Sequence, residues 1–309
     1  MGVSILLTEQ ILAMFLVVGV GYALVKTGLL KSEESKVISN IVVYVCMPCV
    51  TVDAFQIEMT KDKVQGLLLA VVVAAVVHAV MIGLVKLLGR PLGFNSIEKA
   101  SMIYSNSGNL VIPLVASVLG KEWVFYTSAY TLVQTMLVWT HGVSVISGES
   151  QKDIRKIVTN PNIIALFLGF FLFVSGIQLP VIVGSCVSSL GDMIGPVSML
   201  VIGMLIGNVN LLWVFRQKRI YLICLIRLVV VPVAAAAAMA VIKHLGIHRD
   251  AGNILLVVLL ATAAPAAAMV TQLAQLYGKD AKYASVINVM SVIFCIVTMP
   301  LMVLLYEVL

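Results

Sequence analysis

Long apolar stretches follow one another along almost the whole chain, and they constrain its fold more than any other feature. A membrane-spanning helix needs about 20 mostly apolar residues. Of the 309 residues, 61% are hydrophobic and only 11% are charged, against roughly 25% charged residues in soluble domains. This composition excludes a soluble enzyme, a nucleic-acid-binding domain and a disordered chain. The ten predicted spans are 8–26, 37–57, 65–88, 98–119, 122–146, 161–176, 179–208, 218–243, 251–276 and 282–306.

Basic residues are distributed unevenly between the connections, which predicts the orientation of the spans. Connections after odd-numbered spans contain fourteen Lys and Arg residues, and those after even-numbered spans contain five. Because connections rich in Lys and Arg stay in the cytoplasm, we expect both termini on the extracellular or periplasmic side. The expected location is the plasma (inner) membrane. The longest hydrophilic connection, residues 147–160, would then be a short cytoplasmic linker.

Proline spacing indicates an internal repeat. Pro48 and Pro196 lie 148 residues apart in spans 2 and 7, and Pro113 and Pro265 lie 152 residues apart in spans 4 and 9. Two repeats with five spans each would insert in opposite directions, as they do in many secondary transporters. Chance placement is the alternative, because membrane helices tolerate proline. The two repeats would comprise residues 1–146 and 161–309.

Spans 4 and 9 contain runs that are poorly suited to contact with lipid. Residues 105–109 read Ser-Asn-Ser-Gly-Asn, and residues 261–268 are Ala, Thr and one Pro. Unpaired amides in hydrocarbon cost several kcal/mol, so such runs must be buried in protein or line a wet cavity. We predict two broken helices that cross near the membrane midplane, where helix N-termini suit an anion; ordinary helix packing is the alternative. The residues expected at breaks and hinges are Ser105, Pro113, Ala264, Pro265, Pro48 and Pro196.

These features together resemble the auxin efflux carrier family of membrane transporters, over essentially the whole chain. The motifs that carry the resemblance are Asn106-Ser107-Gly108-Asn109 with Ile112-Pro113, Ala263-Ala264-Pro265, and residues 274–278 (Ala-Gln-Leu-Tyr-Gly) leading to 298–301 (Thr-Met-Pro-Leu). Gln134 in span 5 also matches a family position.

The resemblance implies an all-α membrane fold with ten transmembrane helices in two inverted five-helix repeats, as in sodium/proton antiporters and bile-acid symporters. Spans 1, 2, 6 and 7 would form a scaffold, often dimeric. Spans 3–5 and 8–10 would form a transport domain that binds substrate where spans 4 and 9 cross. Family substrates are organic anions: auxin in plants, and malate or malonate for some bacterial members. Ser105 replaces a proline of the plant carriers, so a milder break is expected in span 4 than in span 9.

Several polar residues within the spans are candidates for binding the anion. The amides of Asn106 and Asn109 would donate to a carboxylate or close the crossover backbone. Gln134 would face the same cavity, whereas Asn288 in span 10 would either bind substrate or hydrogen-bond another helix. The complete set of binding candidates is Asn106, Gly108, Asn109, Gln134, Asn288 and Arg227.

Charged residues inside the membrane are expensive and indicate function by default. Asp192 and Arg227 lie well inside spans 7 and 8, so they would either pair with each other or leave Arg227 to attract an anion. His78 and His141 would act as helix-packing residues or as proton relays. The Gly-x3-Gly patterns of span 7 would support packing within the chain or a dimer seam.

The leading functional hypothesis is a carrier of a small organic anion that works by alternating access and is not an enzyme. A cation/proton antiporter or a sodium-coupled transporter on the same fold is the alternative. An antiporter needs a carboxylate at the crossing, and spans 4, 5, 9 and 10 carry acidic residues only at their ends. A non-transporting receptor or an intramembrane enzyme is a weaker alternative. We expect no cofactor, metal site or nucleic-acid partner; the expected partners are the anion, the bilayer and a second copy bound through the scaffold helices.

Overall fold

The computed structural model describes residues 3–148, 155, 158–207, 209 and 214–309, with side chains from residue 8 onward. Most of the predicted linker therefore lies outside the described residues. The described part is helical apart from short connections and one isolated antiparallel bridge. The helices are α1 (Val3–Lys26), α2 (35–54), α3 (Lys61–Gly89), α4 (Ser96–Ile103), α5 (Ser107–Val118), α6 (124–147), α7 (Pro161–Ser175), α8 (Val181–Gly207), α9 (Lys218–His244), α10 (Ala251–Ala263), α11 (Ala268–Leu276) and α12 (Ala281–Val308).

The lengths of these helices indicate a protein that crosses the membrane several times. Among the described residues, α1, α2, α3, α8, α9 and α12 are long and apolar enough to span a bilayer, and α5, α7 and α10 are shorter apolar helices. The structure interrupts predicted spans 4 and 9, which become α4 with α5 and α10 with α11. Because length and composition identify six spanning helices, the total of ten spans and the inverted repeat stay predictions.

Three prolines follow widened, π-helical turns. Proline has no N–H to donate to the carbonyl four residues earlier, and a wider turn accommodates that gap. Pro196 instead follows the bend between the two parts of α8, Val181–Asp192 and Ile194–Gly207. The predicted hinge prolines thus lie beside irregular helix geometry, while hinge motion itself stays a prediction. The three π-helical turns are Val42–Cys46 before Pro48, Ser107–Val111 before Pro113, and Ile226–Val230 before Pro232.

Helix α10 lies at the centre of a bundle that it forms with four other helices. It contacts α3, α6, α9 and α12, and its residues from Ile254 to Ala263 are buried. Helix α1 packs along α8, and α2 packs against α7 and α8. Helix α1 also contacts α5 and α12. The bundle around α10 is therefore continuous, in this conformation, with the group formed by α1, α2, α7 and α8. The division into a scaffold and a transport domain stays a prediction.

One buried carboxylate connects α4 with α9 and α12. Glu98 is only 1% exposed and accepts hydrogen bonds from Arg219 Nε at 2.5 Å and from Arg219 Nη2 at 2.9 Å. It also accepts one from the Tyr283 hydroxyl at 2.8 Å and one from the Asn95 N–H at 2.9 Å. These hydrogen bonds of Glu98 fix the start of α4 against α9 and α12, so this acidic residue of span 4 has a structural role.

The crossing of α1 and α8 requires glycine. A Cβ at Gly203 would lie 2.9 Å from Cα of Gly21 and 2.8 Å from the backbone nitrogen of Tyr22. Backbone atoms cannot move aside as a flexible side chain can. The other glycines of the span 7 patterns face neighbours within the chain as well: Gly191 faces Val50, Gly195 faces Pro113 and Gly207 faces Val25.

A bulky residue at this crossing is expected to destabilise the protein. Overpacking a core usually costs about 1–3 kcal/mol. Because the clash here is with backbone atoms, Gly203→Leu should lower the free energy of unfolding by about 3 kcal/mol or more. Thermal unfolding of the purified protein in detergent measures the change. Gly19→Leu is the matched control, because Gly19 lies on α1 and a Cβ there would have no neighbour within 4 Å. Equal stability of the two variants would contradict the close crossing.

Candidate functional site

Two extended segments cross where the broken helices end. Residues 104–106 connect α4 to α5, residues 264–267 connect α10 to α11, and Ser105 forms an antiparallel bridge with Ala266. The break at Ser105 is therefore complete, and the expectation of a milder break without proline is wrong. Two backbone hydrogen bonds flank the bridge: the Asn106 N–H donates to the Pro265 carbonyl at 2.8 Å, and the Ala267 N–H donates to the Tyr104 carbonyl at 3.0 Å.

The side chain of Gln134 on α6 holds the first segment in place. Because the flanking residues make the backbone bonds, the N–H and C=O of Ser105 point away from Ala266 and need other partners. The Gln134 Oε1 accepts from the Ser105 N–H and from its hydroxyl, both at 2.8 Å. The Gln134 Nε2 donates to the Ser105 carbonyl at 2.8 Å and to the Ser107 hydroxyl at 3.1 Å. The helix therefore breaks at Ser105 without a proline, because Gln134 binds the N–H of Ser105. Proline at this position would have no N–H to donate.

Residues of α12 hold the second segment in the same way. The Ser291 hydroxyl accepts from the Ala266 N–H at 3.0 Å, and the Asn288 Nδ2 donates to the Ala266 carbonyl at 2.6 Å. In this conformation Asn288 therefore hydrogen-bonds another helix segment, which is one of the two roles predicted for it. It also lines the cavity described next. Ser291 has no counterpart in the sequence prediction, since a lone serine in an apolar span carries no signal of its own.

A cavity of about 580 Å³ opens beside this crossing, with a recess of about 120 Å³ beneath it. Residues at the starts of α5 and α11 line it, and the first N–H groups of a helix have no intrahelical partner. Asn106, Asn109 and Gln272 line both compartments. Gln134, Ser105 and Gly108 line the recess, and Asn288 lines the larger space.

The three amides that line both compartments are free to bind a ligand. Among the described residues, no hydrogen bond engages the side chains of Asn106, Asn109 and Gln272 within the protein, whereas Gln134 and Asn288 are engaged by the crossing. Gln272 is the functional candidate that the sequence prediction missed. Its polar character inside span 9 was the available signal.

Gly108 contributes space rather than a donor side chain. A Cβ at this position would overlap the methyl group of Met47 on α2. Glycine therefore lets α5 begin close to α2, at the edge of the recess.

Arg227 lies behind the crossing and not in the cavity. It is 1% exposed, and its Nη2 donates to the Ala264 carbonyl at 2.9 Å while its Nη1 donates to the Met102 carbonyl at 3.4 Å. It lines neither the cavity nor the recess. The prediction that Arg227 contacts the substrate is therefore not supported by this conformation, because the side chain faces the C-terminal ends of α4 and α10.

The predicted ion pair between Asp192 and Arg227 is wrong. Asp192 pairs with Lys121 at 2.6 Å, and its side chain is 57% exposed. The two charges lie on a second cavity of about 440 Å³, which Pro113 and Pro196 also line. Counting residues from the end of span 7 placed Asp192 deep in hydrocarbon, but the residue lies beside the bend in α8 and on the wall of this cavity.

Both histidines within the spans pack against aromatic residues. The His78 Nδ1–H donates to the Ala74 carbonyl at 2.7 Å, and its ring lies 4.8 Å from that of Tyr130. The His141 Nδ1 lies 2.8 Å from the Tyr104 hydroxyl. These contacts match the packing alternative for the two residues.

Removing the Gln134 clamp is expected to destabilise the crossing. Gln134→Ala would leave the buried N–H and C=O of Ser105 without partners, at a cost of about 1–3 kcal/mol for each group. The measurement is thermal unfolding in detergent. Met136→Ala on the same helix, where the side chain is 49% exposed, is the control. A Gln134→Ala protein as stable as the control would show that the crossing does not depend on this amide.

The comparisons with known proteins agree with the resemblance seen in the sequence. The chain matches the family described as membrane transport protein, which is the auxin efflux carrier family, over residues 6–153 and 149–303. It is also similar to an uncharacterized transporter of Methanothermobacter thermautotrophicus, with 24% identity over 309 residues that cover 95% of this chain and 96% of that protein. The family match extends over nearly the whole chain, and this protein therefore belongs to the auxin efflux carrier family of membrane transport proteins.

Proposed function

We propose that this protein is a secondary carrier of small organic anions, mono- or dicarboxylates, that works by alternating access. The observation that supports this proposal is the chemistry of the cavity at the crossing. Free amides of Asn106, Asn109 and Gln272 and the starts of two helices all offer N–H donors to one space. Such donors suit a carboxylate, and helix N-termini add partial positive charge.

Charge in and around the cavity favours an anion over a cation. Among the described lining residues of the cavity and its recess, none is acidic and Lys36 is the only charged one. A cation/proton antiporter needs a carboxylate that exchanges its proton for the cation. Glu98, the acidic residue nearest along the chain to the crossing in span 4, is held by Arg219 instead. The antiporter alternative therefore has less support than the anion carrier.

The two cavities lie at opposite ends of α2, and Asn106, Asn109 and Gln272 line only the first of them. The cavity at the crossing reaches Ser35 and Lys36 at the start of α2, and the second cavity reaches Asp53 near the end of α2. Because the connection before α2 is predicted to be cytoplasmic, we infer an inward-facing conformation. Rocking of the crossing helices against α1, α2 and α8 would expose the amides to the other side.

Transport measurements with cavity variants test the substrate proposal. Uptake of a panel of labelled mono- and dicarboxylates into proteoliposomes is expected for the wild type. Asn109→Ala and Gln272→Ala would each raise KM about 10-fold or more, since a hydrogen bond to a charged group contributes about 1.5–3 kcal/mol.

Asn253→Ala is the matched control for these variants, because Asn253 is an exposed asparagine outside the cavity. Its KM should equal that of the wild type. Absence of uptake for every anion in the panel would overturn the carrier proposal. Uptake that both cavity variants leave unchanged would move the binding site away from the crossing.

Cysteine accessibility tests the proposed orientation. Ser39→Cys, on the cavity wall, is expected to react with a membrane-impermeant maleimide in inside-out vesicles and to stay unlabelled in intact cells. The exposed Cys186 is first replaced by Ser to remove the background. Labelling of the introduced thiol from outside intact cells would reverse the orientation.

A further inference from the structure

The second cavity, of about 440 Å³, differs in chemistry from the cavity at the crossing. Its wall is formed largely by apolar side chains of α1, α2, α5 and α8, among them Met14, Val50 and Met199. Pockets that bind small molecules are usually of about 300–1,000 Å³ and mostly apolar, with a few polar groups that orient the ligand. None of the amides of the crossing lines this space, so its ligand need not be the anion that is proposed to bind there.

Charged groups on the wall leave one carboxylate without a partner. The charged lining residues are Asp53, Lys121 and Asp192. Lys121 Nζ pairs with the Asp192 carboxylate at 2.6 Å and donates to the Ser188 hydroxyl at 3.1 Å, so these two charges offset each other. Among the described residues, none forms an ion pair or side-chain hydrogen bond with the Asp53 carboxylate. The cavity therefore carries one unbalanced negative charge beside an apolar wall.

The polar groups that remain free here accept hydrogen bonds. Gln10 on α1 also lines the cavity, and no described residue engages its side chain. Its amide carbonyl and the Asp53 carboxylate are both acceptors, and an ammonium group has only donors to offer. A ligand carboxylate would instead meet the charge of Asp53 while Lys121 is already engaged. A neutral apolar ligand would desolvate the Asp53 carboxylate without pairing it, which costs free energy.

We propose that this second cavity is a binding site for a small organic cation, a protonated amine with a compact apolar body, and that Asp53 is its counter-ion. The ammonium would lie at Asp53 and Gln10, and the apolar body would pack against the methionine and valine side chains of the wall. The ligand is opposite in charge to the proposed substrate and binds near the other end of α2.

Three probes with one apolar cage and different head groups test the charge preference. Adamantylamine, adamantanol and adamantane carboxylate are cationic, neutral and anionic at neutral pH. The readout is protection of Ser117→Cys, an exposed position on the cavity wall, from a maleimide in detergent, with Cys186 replaced by Ser. Adamantylamine should protect with an apparent affinity about 10-fold or more above that of the alcohol, and the carboxylate should protect least. Equal protection by amine and alcohol, or stronger protection by the carboxylate, would overturn the proposal.

Variants of the carboxylate test its assigned role. Asp53→Asn should weaken protection by adamantylamine about 10-fold or more and leave protection by adamantanol unchanged, which also shows that the cavity is intact. Asp53→Glu keeps the charge and should retain the preference for the amine. Glu58→Gln is the matched control, because Glu58 is an exposed carboxylate near the same end of α2 and outside the cavity. An Asp53→Asn protein that still prefers the amine would refute the counter-ion assignment.

Occupation of this cavity should also slow transport, a consequence that rests on the proposed function. The cavity wall includes α5, which begins at the crossing, together with α1, α2 and α8. A ligand wedged between these helices would hinder the rocking that alternating access requires. Adamantylamine should therefore lower the maximal rate of anion uptake into proteoliposomes with little change in KM, and Asp53→Asn should relieve the inhibition. Thiol protection without any loss of rate would refute the inhibitory role.

The labelling experiment distinguishes this inference from the proposed function, because it needs no transport. If no anion of the panel is transported while adamantylamine selectively protects the introduced thiol, the carrier proposal fails and the cation site is upheld. If anions are transported but the amine protects no better than the alcohol, the cation site fails and the carrier proposal is unaffected.

Discussion

The hydrogen-bonding requirement of backbone groups in a membrane interior determines most of what is distinctive in this protein. Two helices stop in the middle of the packed bundle, and each stop exposes N–H and C=O groups that hydrocarbon cannot satisfy. The two extended segments satisfy four of these groups through each other. The remaining groups of Ser105 and Ala266 are satisfied by Gln134 on α6 and by Asn288 and Ser291 on α12. A crossing therefore needs polar side chains on the neighbouring helices that face its two outer edges.

The same geometry separates the two kinds of helix end. Helices α4 and α10 end at the crossing with exposed carbonyls, and α5 and α11 begin there with exposed N–H groups. Arg227 covers the carbonyl side and is excluded from water, whereas the N–H side faces the cavity with Asn109 and Gln272. The breaks in the two helices thus produce two different sides of the crossing. The side with the carbonyls is negative and is neutralised by Arg227, and the side with the N–H groups is positive and open to the cavity. The polarity that suits the proposed anion arises from where the chain breaks, while Lys36 is the basic side chain that also lines the cavity.

Sequence reasoning succeeded where the signal is local and failed where it depends on how helices face one another. Apolar length located the helices, and the small and polar runs near Ser105 and Pro265 located both breaks, because hydropathy and helix propensity act within one segment. It could not tell that Gln134 is engaged by backbone while Gln272 is free, since both are amides in apolar spans. From depth alone it offered an ion pair between Asp192 and Arg227 as one of two alternatives. The bend in α8 and the open cavity, which decide that Asp192 instead meets Lys121, have no signature in residue counts.

Neutral amides and helix dipoles also suit the cycle that a carrier must complete. A lysine or arginine inside a dry site would hold a carboxylate strongly, because charge pairs gain strength as the local dielectric constant falls. A carrier has to release its substrate on the other side, so excessive affinity in one state slows turnover. In the proposed carrier, hydrogen bonds from Asn106, Asn109 and Gln272, added to two half-charges, would give selectivity for an anion at moderate strength. In the same proposed carrier, the position of Arg227 behind the backbone would keep its electrostatic effect while denying the substrate a direct ion pair.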